Sequence, residues 1–289
     1  MIDGNTKVCG LIGNPVEHTL SPLIHNTLAK RLGHHLVYVP FLVEDGAVKS
    51  AVDGAFALNV LGLNVTVPYK GKVMENLVQI DDLAEQIGAV NTLVRCGSGF
   101  KGYNTDMPGL YRALTREGII LKEQEVILLG AGGAARAVAF MCASQKVKKV
   151  YLLNRSVDKA KAVAEEVNRK SGRECICPMS LKDHGKVPDG KFLAIQATSV
   201  GLYPNEKDVI IEDGAFYEKI HTGYDLVYKP GTTRFMELVK SHGGEAYNGL
   251  KMLLYQGIIA YELWNGISVS EEMALQVYEM LEREIYHEG

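Results

Sequence analysis

The chain has 289 residues, 47% of them hydrophobic and 22% charged, with a formal net charge of −3. That is the composition of a soluble globular protein with room for two domains, and it leaves no general basic field to hold nucleic acid. No apolar run approaches the length of a membrane span, and Met1-Ile2-Asp3-Gly4 lacks the basic and apolar regions of a secretion signal. Five cysteines form no framework. Cys9, Cys96 and Cys142 are isolated, and Cys175-Ile176-Cys177 has the wrong spacing for a zinc knuckle. Reduced thiols in a cytoplasmic protein are therefore expected, and the eight histidines show no ligand spacing, so no metal is expected.

The N-terminal third alternates strand and helix. A strand over 8–12 stops at Gly13-Asn14-Pro15, and a helix over 22–32 has Pro22 at its first position and Gly33 just past its end. Strand 36–42, helix 46–57 and strand 61–67 follow, then short helices within 71–87 and strands 89–95 and 100–103. A helix near 109–117 leads into a second α/β region, with strands at 125–129, 149–153, 174–177, 192–196, 223–227 and 245–247. Two helices, near 250–264 and 271–286, close the chain, and Ser268 with Glu271 reads as a capping box before the last. The fold class is α/β: an N-terminal α/β domain and a doubly wound dinucleotide-binding domain, with the closing helices returning to the first. The boundaries are 1–107 with 250–289 for the first domain and 108–249 for the second.

The stretch Glu125-Val126-Ile127-Leu128-Leu129-Gly130-Ala131-Gly132-Gly133-Ala134-Ala135-Arg136 is the most informative. Four apolar residues suit a buried parallel strand, three glycines supply a turn without Cβ atoms, and a helix-forming segment follows. Strand, glycine turn and helix N-terminus in that order aim backbone N–H groups and the helix dipole at one anion. A pyrophosphate fits, although a tight turn that binds nothing has the same local sequence. The next strand ends in Asn154-Arg155-Ser156, with no carboxylate of the kind an NAD-preferring site places on the ribose 2′-OH. Asn154 can bond the ribose, and Arg155 offers a fork of donors for a 2′-phosphate. Lys159, one turn further on, adds a second positive charge, and Ser156 reads as a helix N-cap.

Three polar groupings carry the chemistry. In Asn64-Val65-Thr66-Val67-Pro68-Tyr69-Lys70, period-two alternation puts Asn64 and Thr66 on one face and Val65 and Val67 on the buried one. Lys70 then falls on the loop, where a lysine is ordinarily surface charge. Gly88-Ala89-Val90-Asn91-Thr92 and Asn104-Thr105-Asp106 place polar groups at strand edges, though Asp106 also suits a helix cap. In His18-Thr19-Leu20-Ser21-Pro22, Ser21 is a good N-cap, whereas Thr19 has no local role. Two hydroxyls at i and i+2 can grip a carboxylate without a full positive charge. Tyr228 and Gln256, taken singly, are ordinary boundary residues.

These motifs, with Leu20-Ser21-Pro22 and His25-Asn26, Ala197-Thr198-Ser199-Val200-Gly201 and Gly249-Leu250-Lys251-Met252-Leu253-Leu254-Tyr255-Gln256, resemble the shikimate/quinate dehydrogenase family essentially end to end. The resemblance implies an N-terminal substrate domain, a Rossmann domain and reversible reduction of 3-dehydroshikimate with NADPH on the chorismate route to aromatic amino acids. Small molecules are then the only partners, in a monomer or homodimer. It implies Lys70 and Asp106 as the catalytic pair, and Thr19, Ser21, Thr66, Asn91, Tyr228 and Gln256 as substrate contacts. NADP would be held by Gly130, Ala131, Gly132, Gly133, Ala134, Asn154, Arg155, Ser156, Lys159, Thr198, Ser199, Gly249 and Met252. An ordinary lysine, with a pKa of about 10.4, is poorly matched to neutral working pH; Lys70 is assigned the main proton transfer and Asp106 the orienting hydrogen bond, the alternative being that the two share the proton transfer.

Two departures from the family pattern stand out. Thr19 occupies a position where many members have Ser, and Gln196 one where Asn is usual. The family includes enzymes that accept quinate, so broader substrate and cofactor use is the alternative. A non-catalytic NADP-binding sensor would have little reason to keep Lys70, Asp106 and the hydroxyl pair together. A methylene-tetrahydrofolate dehydrogenase would not need the hydroxyls.

Overall fold

A computed structural model describes residues 2–286. By internal contacts the chain divides into two units. One runs through Leu110 and resumes at Leu253, and the other is Tyr111–Met252.

In the first unit, β1 (Lys7–Gly13), α1 (Ser21–Arg31), β2 (Leu36–Leu42), α2 (Val48–Ala57) and β3 (Gly62–Val65) alternate, so the three strands are parallel with β1 in the middle. A 3-10 turn at Lys72–Asn76, β4 (Gln79–Ile80), α3 (Asp82–Ile87), β5 (Thr92–Cys96) and β6 (Gly99–Tyr103) complete the sheet. Its order is β2-β1-β3-β5-β6-β4, and β5 runs antiparallel to both β3 and β6. Helix α4 (Asp106–Arg116) follows. Ile12, Val48, Val52, Leu63, Val65, Tyr69, Leu93 and Phe100 form the core beneath the α2 side.

Two local expectations change here. The strand expected over 61–67 ends at Val65, so alternation no longer governs Val67. That side chain is 65% exposed, whereas Asn64, expected on the opposite face from the core, is 5% exposed. The face that Asn64 points to is itself covered: its amide packs against the buried Tyr38 and Thr92 side chains and bonds both. Ser21 is not the N-cap of α1; it is the first helical residue, and Leu20 occupies the cap position without a side-chain bond.

In the second unit, β7 (Glu125–Leu129), α5 (Gly133–Ser144), β8 (Lys149–Asn154), α6 (Val157–Ser171) and β9 (Ile176–Ser180) form one half. β10 (Phe192–Gln196), α7 (Gly214–Tyr217), β11 (Ile220–Asp225), α8 (Arg234–Ser241) and β12 (Glu245–Tyr247) form the other. All six strands are parallel, in the order β12-β11-β10-β7-β8-β9. This is the Rossmann arrangement, and its order reverses between β7 and β10. Central strands read as nearly continuous apolar runs because helices cover both faces of such a sheet; Val126, Ile127, Leu128 and Leu129 are all fully buried. The expected strand 174–177 instead starts later and runs through Pro178. β9 is the sheet's last strand, where a missing backbone N–H costs nothing.

Helices α9 (Leu250–Asn265) and α10 (Glu271–Tyr286) end the described chain. The cap of α10 is Ser270, whose hydroxyl accepts the Met273 N–H at 3.2 Å. The Ser268/Glu271 capping box is not formed: the helix starts at Glu271, and that carboxylate instead accepts the Tyr255 hydroxyl.

One ion pair in the second unit gives a stability test. Arg136, in the first turn of α5, donates from Nε and Nη2 to the two oxygens of Glu166 on α6 at 2.7 and 2.5 Å, and Lys170 adds a contact at 2.9 Å. Chiefly through Arg136, the Glu166 carboxyl is held down to about 2. A carboxyl whose folded pKa lies below its unfolded value stabilises the fold above about pH 4.3, and that contribution disappears as pH falls toward 2. With the pair partly exposed, Glu166→Gln should cost about 1–2 kcal/mol at pH 7. Urea unfolding at pH 7 and pH 3 checks this, because the difference from the unmodified protein should shrink at the lower pH.

Candidate active site

The loop after β3 is built to present Lys70. Thr66 N–H bonds Ile12 O, Tyr69 N–H bonds Thr66 O, and the buried Tyr69 hydroxyl donates to Val43 O at 2.6 Å. Val90 N–H bonds the carbonyl of Lys70 itself at 2.8 Å. The backbone on both sides of Lys70 is therefore fixed, and only its side chain is left to extend.

Asp106 begins α4, and its carboxylate does not cap that helix. Asn104 does so, accepting the Met107 N–H at 3.2 Å while its amide donates to Ala89 O at 3.0 Å. Asp106 is thereby free for other partners. Lys70 Nζ donates to one carboxylate oxygen at 2.6 Å and Asn91 Nδ2 to the other at 2.8 Å. The pair is partly open, with side-chain exposures of 33% for Lys70 and 21% for Asp106.

Asn91 is itself held by its oxygen, which accepts the Thr105 N–H at 2.7 Å and the Thr105 and Thr92 hydroxyls, each at 3.1 Å. An amide whose oxygen is so occupied must turn its NH2 outward, which is why Asn91 donates to Asp106. Behind it, Asn64 donates to Asn91 O and Thr92 Oγ1 at 3.2 and 3.1 Å and accepts the Tyr38 hydroxyl at 2.7 Å. His25 stacks on Tyr38 with ring centroids 4.3 Å apart, and burial holds its imidazole neutral, pushed down to about 3. Sequence reasoning did not single out Asn64, Thr92 or Tyr38 as supporting residues. Asn64 had a visible signal, a polar residue between Leu63 and Val65 in a strand that would otherwise be all apolar.

Thr19 and Ser21 are brought together: Thr19 Oγ1 donates to Ser21 Oγ at 3.2 Å, and the Ser21 N–H reaches Thr19 Oγ1 at 3.3 Å. Thr19 thus has the local role that its sequence context does not reveal. Thr66 is half-buried beyond the end of β3. The Gln256 amide donates to Leu253 O on its own helix at 2.8 Å. Gly109 lets α4 meet α9 at this point, since a Cβ there would lie 2.7 Å from Gln256 N.

In the second unit, Gly130 ends β7 at φ 114°, and a Cβ on it would fall 2.7 Å from the Thr198 methyl. Cβ atoms at Gly132 and Gly133 would meet nothing within 4 Å. Helix α5 starts there with neither a side-chain cap nor an acidic residue in its first turn. An uncapped helix start beside a turn without side chains is what an anion cradle requires. Ala131 is half-buried and Ala134 exposed beside the turn.

Asn154 ends β8 and donates to Ser156 O at 2.8 Å, which folds the following turn; Ser156 holds the cap position of α6 without a side-chain bond. Arg155 and Lys159 are exposed. Arg155 also borders a cavity of about 350 Å³ with Lys182 and His184. Thr198 accepts the Val200 N–H at 3.1 Å, and Ser199 is exposed. Gly249 N–H bonds Val227 O, and a Cβ at Gly249 would fall 2.1 Å from Leu226 O, so only glycine allows that approach. Met252 is half-buried on α9, and Tyr228 is half-buried beyond β11, its phenol pushed up by burial. Among the described residues, no three His, Cys, Asp or Glu side chains gather as metal ligands do, and no helix is long and apolar enough to cross a membrane.

A Rossmann unit with an open glycine turn, joined to an α/β unit holding a lysine on a helix-leading aspartate, defines a nucleotide-dependent oxidoreductase of two α/β domains. Comparison narrows the class. Residues 11–93 match the shikimate dehydrogenase substrate binding domain, and residues 113–184 match shikimate / quinate 5-dehydrogenase. An NADP(+) shikimate dehydrogenase of Desulforamulus reducens is 40% identical over 278 residues, 96% of each chain. A shikimate dehydrogenase solved in complex with NADP+ is 38% identical with a TM-score of 0.87, covering 97% of both chains. The Listeria monocytogenes shikimate 5-dehydrogenase, solved with shikimate and NAD, is 32% identical with a TM-score of 0.88, covering 97% of this chain and 98% of that one. The chain belongs to the shikimate dehydrogenase family.

Proposed function

We propose that this protein is a cytoplasmic NADP-dependent shikimate dehydrogenase, interconverting 3-dehydroshikimate and shikimate on the route to chorismate and the aromatic amino acids. The observation that carries the reading is the Lys70 ammonium seated on Asp106, with Asn91 on the second carboxylate oxygen. The first unit is the substrate domain and the second the NADP domain.

NADPH, when bound, supplies the hydride; the protein must supply one proton and hold both partners in line. During reduction negative charge develops on the substrate oxygen, and Lys70 Nζ donates the proton there. In the oxidising direction the same nitrogen takes the hydroxyl proton back. Asp106, with the ammonium on one oxygen and Asn91 on the other, is assigned the orienting role. Thr19 and Ser21 offer neutral hydroxyls to the substrate carboxylate, Asn91 its second amide N–H and Thr66 its hydroxyl. Tyr228 and Gln256 are assigned further substrate contacts.

The second unit suits the nucleotide. The backbone from Gly130 to Ala134 cradles the pyrophosphate, and Asn154, Arg155, Ser156 and Lys159 serve the adenosine ribose and its 2′-phosphate. Thr198, Ser199, Gly249 and Met252 hold the remaining part.

Broader use of quinate or NAD is the second reading, favoured by the Listeria relative, whose solved complex contains NAD. Absorbance of reduced nicotinamide decides between them, with shikimate or quinate offered together with NADP+ or NAD+. Rapid reduction with shikimate and NADP+ alone is the expected result. Comparable rates with quinate or NAD+ would transfer the protein to the broader branch, and silence in all four mixtures would reject both.

A further inference from the structure

Asp225 is a fully buried carboxylate that plays no part in the chemistry above. It ends β11, in register with Gln196 at the end of β10. Its oxygens accept three neutral donors: the Thr233 hydroxyl at 2.6 Å, the Val227 N–H at 3.0 Å and Gln196 Nε2 at 3.2 Å. Burial without a cation among these donors pushes its carboxyl up to about 6.

Burying a charge among neutral donors costs stability that a well-packed apolar residue would not. The position of this one accounts for its presence. On one side, Gln196 passes the tether onward: its Oε1 accepts the Thr198 N–H at 2.5 Å and its Nε2 donates to Val200 O at 3.0 Å. On the other, Val227 N–H binds the carboxylate directly, one residue before Tyr228, and Gly249 N–H bonds Val227 O at 3.1 Å. Thr233, where the connection from β11 ends, also caps α8.

We infer that Asp225 is a positioning residue that holds the Thr198 turn and the Tyr228 loop at the ends of two adjacent strands, so that a single carboxylate sets the geometry of both nucleotide and substrate contacts. The inference rests on the proposed roles of Thr198 and Tyr228. It also explains how Gln196 works at a position where the family usually has Asn: its amide spans from Asp225 to the backbone of the Thr198 turn.

Titration calorimetry of the full chain with NADP+ and with shikimate tests this, alongside steady-state kinetics. Asp225→Ala should weaken both ligands roughly tenfold, as expected when one hydrogen-bonded anchor is lost, with kcat changed less than KM. Asp225→Asn should recover most of both affinities, because its amide oxygen can keep the Val227 and Gln196 donors and its NH2 can donate to Thr233. Gln196→Ala should weaken NADP+ alone, since it cuts only the Thr198 branch, and it keeps the test open if Asp225→Ala does not fold. A lower melting temperature with both dissociation constants unchanged would make Asp225 merely structural and overturn the inference. Thr198→Ala and Tyr228→Phe are controls. If neither affects its own ligand, the assigned contacts fail and the inference falls with them; if both do while Asp225→Ala does not, the inference alone fails.

Discussion

Lys70→Met should lower kcat for shikimate oxidation by about 10²–10⁴-fold, the range over which positioned proton transfer accelerates a reaction, while NADP+ affinity stays unchanged. The side chain contributes the only ammonium bonded to Asp106 among the described residues. Its loss removes the proton donor and leaves Asp106 with Asn91 as its remaining partner. The stability cost should be small, because an ion pair this open to solvent contributes about 1 kcal/mol or less. Pre-steady-state reduction of NADP+ and calorimetric NADP+ binding, measured on the same preparation, separate the two effects. Turnover that survives the substitution would take the proton-transfer role from Lys70, and an equal loss of NADP+ affinity would point to damage in the fold instead.

Arg155→Ala carries the second largest effect. The side chain is exposed immediately after β8, next to the Asn154 turn. A charge-assisted bond to a 2′-phosphate contributes about 1.5–3 kcal/mol, so kcat/KM for NADP+ should fall roughly tenfold to hundredfold. The value for NAD+, which lacks that phosphate, should hardly change. The NADP+ preference should also shrink with added salt in the unmodified protein, because an exposed cation is screened over about 8–10 Å at moderate ionic strength. An equal drop for NAD+ and NADP+ would mean that Arg155 supports the adenosine by packing and not by charge.

Local signals carried much of the fold. The runs Val126–Leu129 and Lys149–Leu153, the glycine turn and the helix from Gly133 are each specified within a few residues, and they appear as β7, β8 and α5. Strand ends were less legible. Val67 looked buried by alternation, yet the chain had already left the sheet at Val65. Caps were the weakest point: Ser21, Asp106 and Ser268 each fit the pattern, while Asn104 and Ser270 bond the first turns of α4 and α10. Neighbouring polar residues compete for one cap, and small differences in backbone direction choose among them.

By itself, the sequence determined the class of most strands and of the longer helices, the glycine cradle, the absence of a carboxylate at the end of β8 and the identity of the polar residues available for chemistry. These depend on periodicity, glycine conformation and side-chain type, all of which act over short stretches. Only the tertiary structure decided which polar groups meet. Lys70 and Asp106 are 36 residues apart and come within 2.6 Å because β3, β5 and β6 lie side by side, with the loop after β3 and the start of α4 at the same end. Asp225 and Gln196, 29 residues apart, touch for the same reason: β10 and β11 are parallel neighbours in register. Strand pairing is a long-range choice made by burial of whole faces, and a buried carboxylate among neutral donors leaves no local mark on the residues around it.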